Sequence, residues 1–170
     1  NDSSIKLSVN PVKTRIRCKC RDYAVISDYK IFFKTIKNIE IPGEKPSKFI
    51  LTMPHRSKPL KVLVDGREIE KYYIYKNKLY IPFKASSDKH KLSVYCESKF
   101  PGYDKNIYIS PVTLKGARLK KSELRVKYQN NVSLFDLKEK NLMPVGSSND
   151  QNIITYFYSV HDWLLSMNIK

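Results

Sequence analysis

The chain has 170 residues, 41% hydrophobic and 12% aromatic, which is too much apolar material for a disordered chain and enough for a sizeable core. With only 5 Gly, no heptads and no apolar run near the ~20 residues of a spanning helix, collagen-like, coiled-coil and helical membrane classes are excluded. Lys and Arg number 32 against 16 Asp and Glu, and the net charge of +16 favours anionic partners without choosing among them.

Period-two alternation dominates, so the predicted fold class is all-β. In chain order the predicted strands cover 5–9, 14–20, 30–41, 48–53, 61–64, 72–75, 78–83 and 91–96. Pro42-Gly43, Pro46, Pro54 and Pro59 interrupt the pattern, and Asp65-Gly66 and Lys76-Asn77 read as tight hairpin turns. Between Tyr72 and Tyr75 the alternation assigns one pair of side chains to the core and leaves the other for solvent. The rhythm stops over 98–105, around Phe100-Pro101-Gly102, and resumes at 107–114, Leu119, 123–128, 132–137, 153–158 and 163–169. Gln129-Asn130-Asn131 and 159–162 read as turns, and 144–151 as a polar loop. Val160, Trp163, Leu164 and Met167 also fit a helical face, but a strand is the expectation there.

Each half closes on an aromatic-rich strand, a turn and a Leu-led strand, which suggests two copies of one β-unit. The expected organisation is therefore two tandem β-sandwich units, residues 1–98 and a smaller 99–170, with one larger sandwich or barrel as the alternative.

Lys13, Arg15, Arg17, Lys19 and Arg21 recur at every second position, which in a strand places five cations on one face. Same-face residues lie roughly 6.6 to 6.8 Å apart, close to the spacing of phosphates along a polyanion. The row is a candidate polyanion-binding site for a glycan or nucleic acid; a solvated face that discourages edge pairing is the competing reading. No RNA- or DNA-binding signature accompanies it.

Cys18, Cys20 and Cys96 all fall on expected core faces. Two readings stand side by side: a bridge from Cys96 to Cys18 or Cys20 across a sandwich, or three buried thiols acting as small hydrophobes. Cys18-x-Cys20 with His55 or His90 lacks the spacing of a structural zinc site, so no metal and no cofactor is expected. His161-Asp162 beside Trp163 reads as a turn rather than a base with its orienting carboxylate, and no hydrolase, phosphate-loop or dinucleotide motif is present. The chain is expected not to be an enzyme.

The sequence opens at Asn1 rather than Met, which suggests a mature or excised form. N-x-[ST] triplets start at Asn1 and at Asn131, the latter in a predicted hairpin turn that a glycosylating enzyme can reach. The stretch V-D-G-x-x-I (Val64 to Ile69), Y-x-Y-x-N-x-L-Y-I-P (Tyr73 to Pro82) and H-x-L-x-V (His90 to Val94) resembles immunoglobulin-like β-sandwich modules of prokaryotic secreted and cell-surface proteins. It covers about a fifth of the chain. The resemblance implies an extracellular or surface setting and a binding or scaffolding role. Three functions follow in order: a surface module for assembly, adhesion or glycan contact, with other surface proteins as partners; an intracellular, nucleic-acid-binding protein; and an enzyme accessory domain.

Overall fold

The computed structural model describes residues 16–27, 29–100, 106–148 and 151–169; the strand expected over 5–9 lies outside the described residues. The first half forms β1 (Ile16–Ile26), β2 (Lys30–Glu40), β3 (Lys48–Thr52), β4 (Ser57–Val64), β5 (Arg67–Glu68), β6 (Tyr73–Tyr75), β7 (Lys78–Pro82) and β8 (Lys89–Lys99). The second half adds β9 (Asn106–Ile109), β10 (Thr113–Leu114), β11 (Ala117–Leu119), β12 (Ser122–Tyr128), β13 (Leu134–Lys140), β14 (Met143–Ser148), β15 (Ile153–Tyr158) and β16 (Leu164–Ile169). The fold is all-β, as the alternation requires, and no described helix is long and apolar enough to cross a membrane.

A nine-stranded sheet runs in the order β14-β15-β12-β1-β2-β8-β4-β5, with β11 also on β1. A four-stranded sheet, β10-β3-β7-β6, and a three-stranded sheet, β13-β16-β9, complete the structure, and none of the described sheets closes into a barrel. Buried side chains from all three sheets, among them Cys20, Val94 and Leu124 of the long sheet, Phe49 and Leu79 of the second, and Leu165 of the third, form one core cluster. On β1 and β2 the alternation is almost perfect: Cys18, Cys20, Asp22, Ala24 and Ile26 face inward opposite Ile39, Lys37, Thr35, Phe33 and Ile31. Fixing one strand's face thereby fixes its neighbour's, because register partners share a face.

The boundary expected between 98 and 99 falls at the end of β8, but it does not separate two sheets. β12 lies parallel along β1 from Arg21↔Glu123 to Ile26↔Tyr128, so both halves share the long sheet. The residues around Pro101 lie outside the described residues. The proposed internal repeat is not reproduced either. β6 and β7 make a hairpin, whereas β15 pairs with β12 and β14, and β16 leaves for β13 and β9. Alternation reports which face a strand buries; it carries no label for the partner.

Both hairpin turns are as read. Asp65 and Gly66 have φ of 52° and 81°, and Lys76 and Asn77 have 46° and 59°, the left-handed pair of a two-residue turn that matches strand twist. Asp65 is also tied down: its Oδ1 accepts the Lys91 N–H at 2.8 Å and its Oδ2 meets His90 Nδ1 at 2.7 Å. Over 144–148 the expected polar loop is instead part of edge strand β14, paired to β15 with a register shift between Pro144 and Gly146; residues 149 and 150 lie outside the described residues. An edge strand exposed on both faces needs no apolar alternation, and a bulge tolerates Pro. Pro59 likewise sits at a register shift inside β4 rather than ending it. The run expected over 107–114 is divided at Ser110-Pro111-Val112, and its pieces join different sheets. The last segment is a strand, not a helix.

A basic sheet face and the buried cluster behind it

Arg17, Lys19 and Arg21 project from the outer face of β1, exposed as expected; Lys13 and Arg15 lie outside the described residues. The neighbouring strands extend the row sideways. Lys34 of β2, Lys89 and Lys91 of β8, and Arg125 and Lys127 of β12 occupy outward register positions on the same face. Glu40, Glu97 and Glu123 are the acids interspersed there, and Glu40 and Glu123 are engaged by Lys120 at 3.2 Å and Arg125 at 2.7 Å. Cations outnumber acids on this face, so it holds a local positive field that a sequence row alone understates.

Aromatic rings on the face are already used. The Lys34 ammonium sits 5.9 Å from the Tyr23 ring and 5.0 Å from the Tyr95 ring, its register neighbours on either side. At the end of the sheet Arg17, Lys19, Lys89, Lys91 and Lys120 converge with Glu40 on an open cleft of about 440 Å³. Five cations and few acids around one concavity suit an extended anion better than a neutral ligand. The other aromatic group is different from expectation. Tyr73, Ile74 and Tyr75 on edge strand β6 are all exposed, at 54%, 50% and 58%, and none is a core residue; Tyr73 stacks on Tyr80 at 4.6 Å.

The opposite face of the same strands hides a polar cluster. Lys37 and Asp22 are each 1% exposed, although both are ionisable. Lys37 Nζ donates to Cys20 Sγ at 3.2 Å, Cys18 Sγ lies 3.4 Å from Cys20 Sγ, and the Tyr158 hydroxyl donates to Asp22 Oδ2. The Cys20 N–H donates to Ser122 Oγ at 2.9 Å, where β1 passes from β11 to β12. Burial works against the Lys37 charge, but the adjoining Cys20 and Asp22 outweigh it and hold the ammonium's pKa above its ordinary value. Desolvation raises the Asp22 carboxyl despite Lys37, Thr35 and Tyr158. The hydrogen bond from Cys18, against desolvation and with help from Lys37, brings the Cys20 thiol down to about 7, while the same contact pushes Cys18 up. Burial pushes Cys96 up to about 12.

All three cysteines are free and buried. The bridge to Cys96 does not fit. Cys96 is the register partner of Phe33, itself opposite Ala24, so it lies two strands from β1 and four residues along from Cys20. That places the α-carbons roughly 16 Å apart by strand spacing and rise, well beyond the ~7 Å a disulfide spans. The three face the same core from one sheet rather than opposing one another across a sandwich. Asn131 is exposed in the turn after β12, where Val132 N–H donates to Gln129 O at 2.9 Å. Asp162 pairs with Lys140 at 2.8 Å and the half-buried His161 faces the Ala117 carbonyl at 3.3 Å, so neither orients the other as an acid–base pair. His161 is held below its usual value by burial first and then by Lys37. His90 is buried against Phe49 and Phe83 with Asp65 on its Nδ1.

No protein-family model and no curated protein matches the sequence. Solved structures do match in shape. An M1 zinc metallopeptidase from Deinococcus radiodurans aligns with a TM-score of 0.60 at 7% identity, covering 91% of this chain and 42% of that one. Leukotriene A4 hydrolase from Saccharomyces cerevisiae aligns at 0.60 and 10% identity over 95% of this chain and 31% of its own. Legionella pneumophila aminopeptidase A, in complex with aspartic acid, aligns at 0.60 and 5% identity over 95% and 22%. The chain thus spans less than half the length of these enzymes, and at such identity the likeness is one of fold. Among the described residues no three His, Cys, Asp or Glu side chains gather as a metal ion requires. The chain has the fold of one part of such enzymes.

Proposed function

We propose that this chain is a non-catalytic β-sandwich unit that works as an accessory part of a larger peptidase-type protein or complex. The observation that carries the reading is the asymmetry of coverage: nearly the whole chain superposes on a minor share of several peptidases. This reading, third in order from the sequence, is preferred to a surface module for assembly, adhesion or glycan contact. Only the resemblance in the hairpins β4–β5 and β6–β7 and in β8 speaks for a surface module, and hairpin chemistry is common to many sandwiches. With zinc and a panel of aminoacyl amides, the isolated chain is expected to release no product; sustained zinc-dependent turnover overturns the non-catalytic reading. Purified from its native source without denaturant, the chain is expected to bring zinc-dependent aminopeptidase activity with it, in the same polypeptide or a bound one. Recovery free of any such activity sinks the accessory reading.

Within that role the basic face is the surface for an acidic polymer. Replacing Arg17, Lys19 and Arg21 with Ser is expected to weaken retention on heparin and to flatten its salt dependence, since each lost contact removes about one released counterion from the slope. A triple variant eluting with the parent at every salt concentration leaves these residues as a solvated strand face.

A further inference from the structure

An amine and a thiol meet behind the basic face, away from solvent. Cys20 and Lys37 are register partners on β1 and β2, each is 1% exposed, and Lys37 Nζ is 3.2 Å from Cys20 Sγ. A lysine held at one site in a core gives up much of its rotamer freedom, and anion binding on the other face makes no use of it. We propose that Cys20 and Lys37 are an oxidative cross-linking site, joined by an S–O–N bridge between Cys20 Sγ and Lys37 Nζ when the protein meets hydrogen peroxide.

The chemistry balances with two peroxides. In the first step Cys20 sulfur attacks one peroxide oxygen; the O–O bond breaks, an S–O bond forms, and Cys20 sulfenic acid and one water result. In the second step the N–O bond forms to Lys37 while one N–H and the sulfenic O–H break. The two electrons and two protons released reduce the second peroxide to two waters. Thiol, amine and two peroxides thus give the bridge and three waters. A thiolate beside an ammonium contains the same atoms as thiol beside amine, so no further proton acceptor is required.

Geometry favours Lys37 over Cys18 as the partner that traps the sulfenic acid. Cys18 and Cys20 are two apart on one strand, with α-carbons about 6.6 to 6.8 Å apart and β-carbons pointing in parallel, at the limit of what a disulfide spans. Cross-strand partners hold their β-carbons about 4.5 to 5.5 Å apart. The proposal places the oxidant's entry at a break in the strand pairing. β1 leaves β11 at Cys18 and joins β12 at Arg21, and at that gap Lys19, Cys20, Arg21 and Ser122 line a cleft of about 320 Å³.

The test is intact-mass analysis of the native chain titrated with hydrogen peroxide. The expected product is heavier by about 14 Da, one oxygen gained and two hydrogens lost, and dithiothreitol returns it to the parent mass. Tandem mass spectrometry is expected to join the peptides that hold Cys20 and Lys37. Cys18→Ser keeps the pair and is expected to keep the gain, whereas Lys37→Arg is expected to lose it. Since Lys37→Arg can fail to fold, the joined peptide from the parent and from Cys18→Ser decides the matter. A product lighter by about 2 Da with Cys18 joined to Cys20, whole-oxygen gains on Cys20 alone, or an unchanged mass overturns the proposal.

Discussion

Lys37→Met is expected to lower the unfolding free energy by about 3 kcal/mol, near the bottom of the range for stripping one partner from a buried charge pair. The side chain is fully buried among Cys20, Cys18 and Asp22, so its loss leaves Asp22 and the Cys20 sulfur without the cation that compensates them. The lower end applies because Asp22 has an escape: its carboxyl is already raised by burial and can take up a proton instead of staying charged. Adding Asp22→Asn to Lys37→Met removes the uncompensated carboxylate and is expected to recover about 1 kcal/mol or more, a coupling that a double-mutant cycle in urea reads directly. Equal and additive losses from the two single changes contradict a coupled buried pair.

The same cluster sets a pH dependence. In the folded chain the hydrogen bond from Cys18, helped by Lys37, holds the Cys20 thiol at about 7, below its ordinary 9.0. A depressed folded value contributes stability that is fully present above the unfolded pKa and is lost as pH falls through the folded one. The parent's advantage over Cys20→Ser is therefore expected to be greater at pH 9 than at pH 6. Asp22, raised by burial, works in the opposite sense at acid pH, but it is present in both chains and largely cancels from the difference. A gap that narrows between pH 6 and pH 9 contradicts a Cys20 thiolate held by Cys18 first and by Lys37 after it.

Much of this was legible from alternation. Arg17, Lys19 and Arg21 face out and Cys18, Cys20 and Cys96 face in because a strand's period of two assigns faces without knowledge of partners. Lys37 was visible by the same logic: it shares parity with Ile31, Phe33, Thr35 and Ile39, and a lysine on the core side of a strand is a signal in itself. Asp22, between Cys20 and Ala24, gives that signal on β1. What the sequence does not carry is that Tyr158, 136 residues away, donates to Asp22, or that β12 comes to lie beside β1. Those are long-range pairings, decided by the whole chain's packing rather than by any local window. Edge strand β14 was hidden for a different reason: with both faces in solvent, Met143–Ser148 needs no apolar period.

Cutting the chain between 98 and 99 is expected to abolish folding of both pieces alone. In the parent, β1 is an interior strand, hydrogen-bonded to β2 on one side and to β11 and β12 on the other. A 1–98 fragment leaves that second edge open along most of its length and uncovers Cys20 and Asp22, which in the parent are held by Ser122 and Tyr158. The 99–170 piece fares worse. Its β12, β15 and β14 lose the strand they are built on, and its buried Leu124, Val126 and Tyr156 lose part of the shared core. Two three-stranded sheets, β14-β15-β12 and β13-β16-β9, without β1 and without the first half's share of the core, do not bury enough apolar surface to offset the entropy of ordering them. Neither fragment is therefore expected to show a cooperative urea transition, while an equimolar mixture is expected to recover the parent's far-ultraviolet circular dichroism and one common transition. Cooperative unfolding of 1–98 alone, with the parent's dispersed amide spectrum for β1 and β2, defeats the shared-sheet account and restores two independent units.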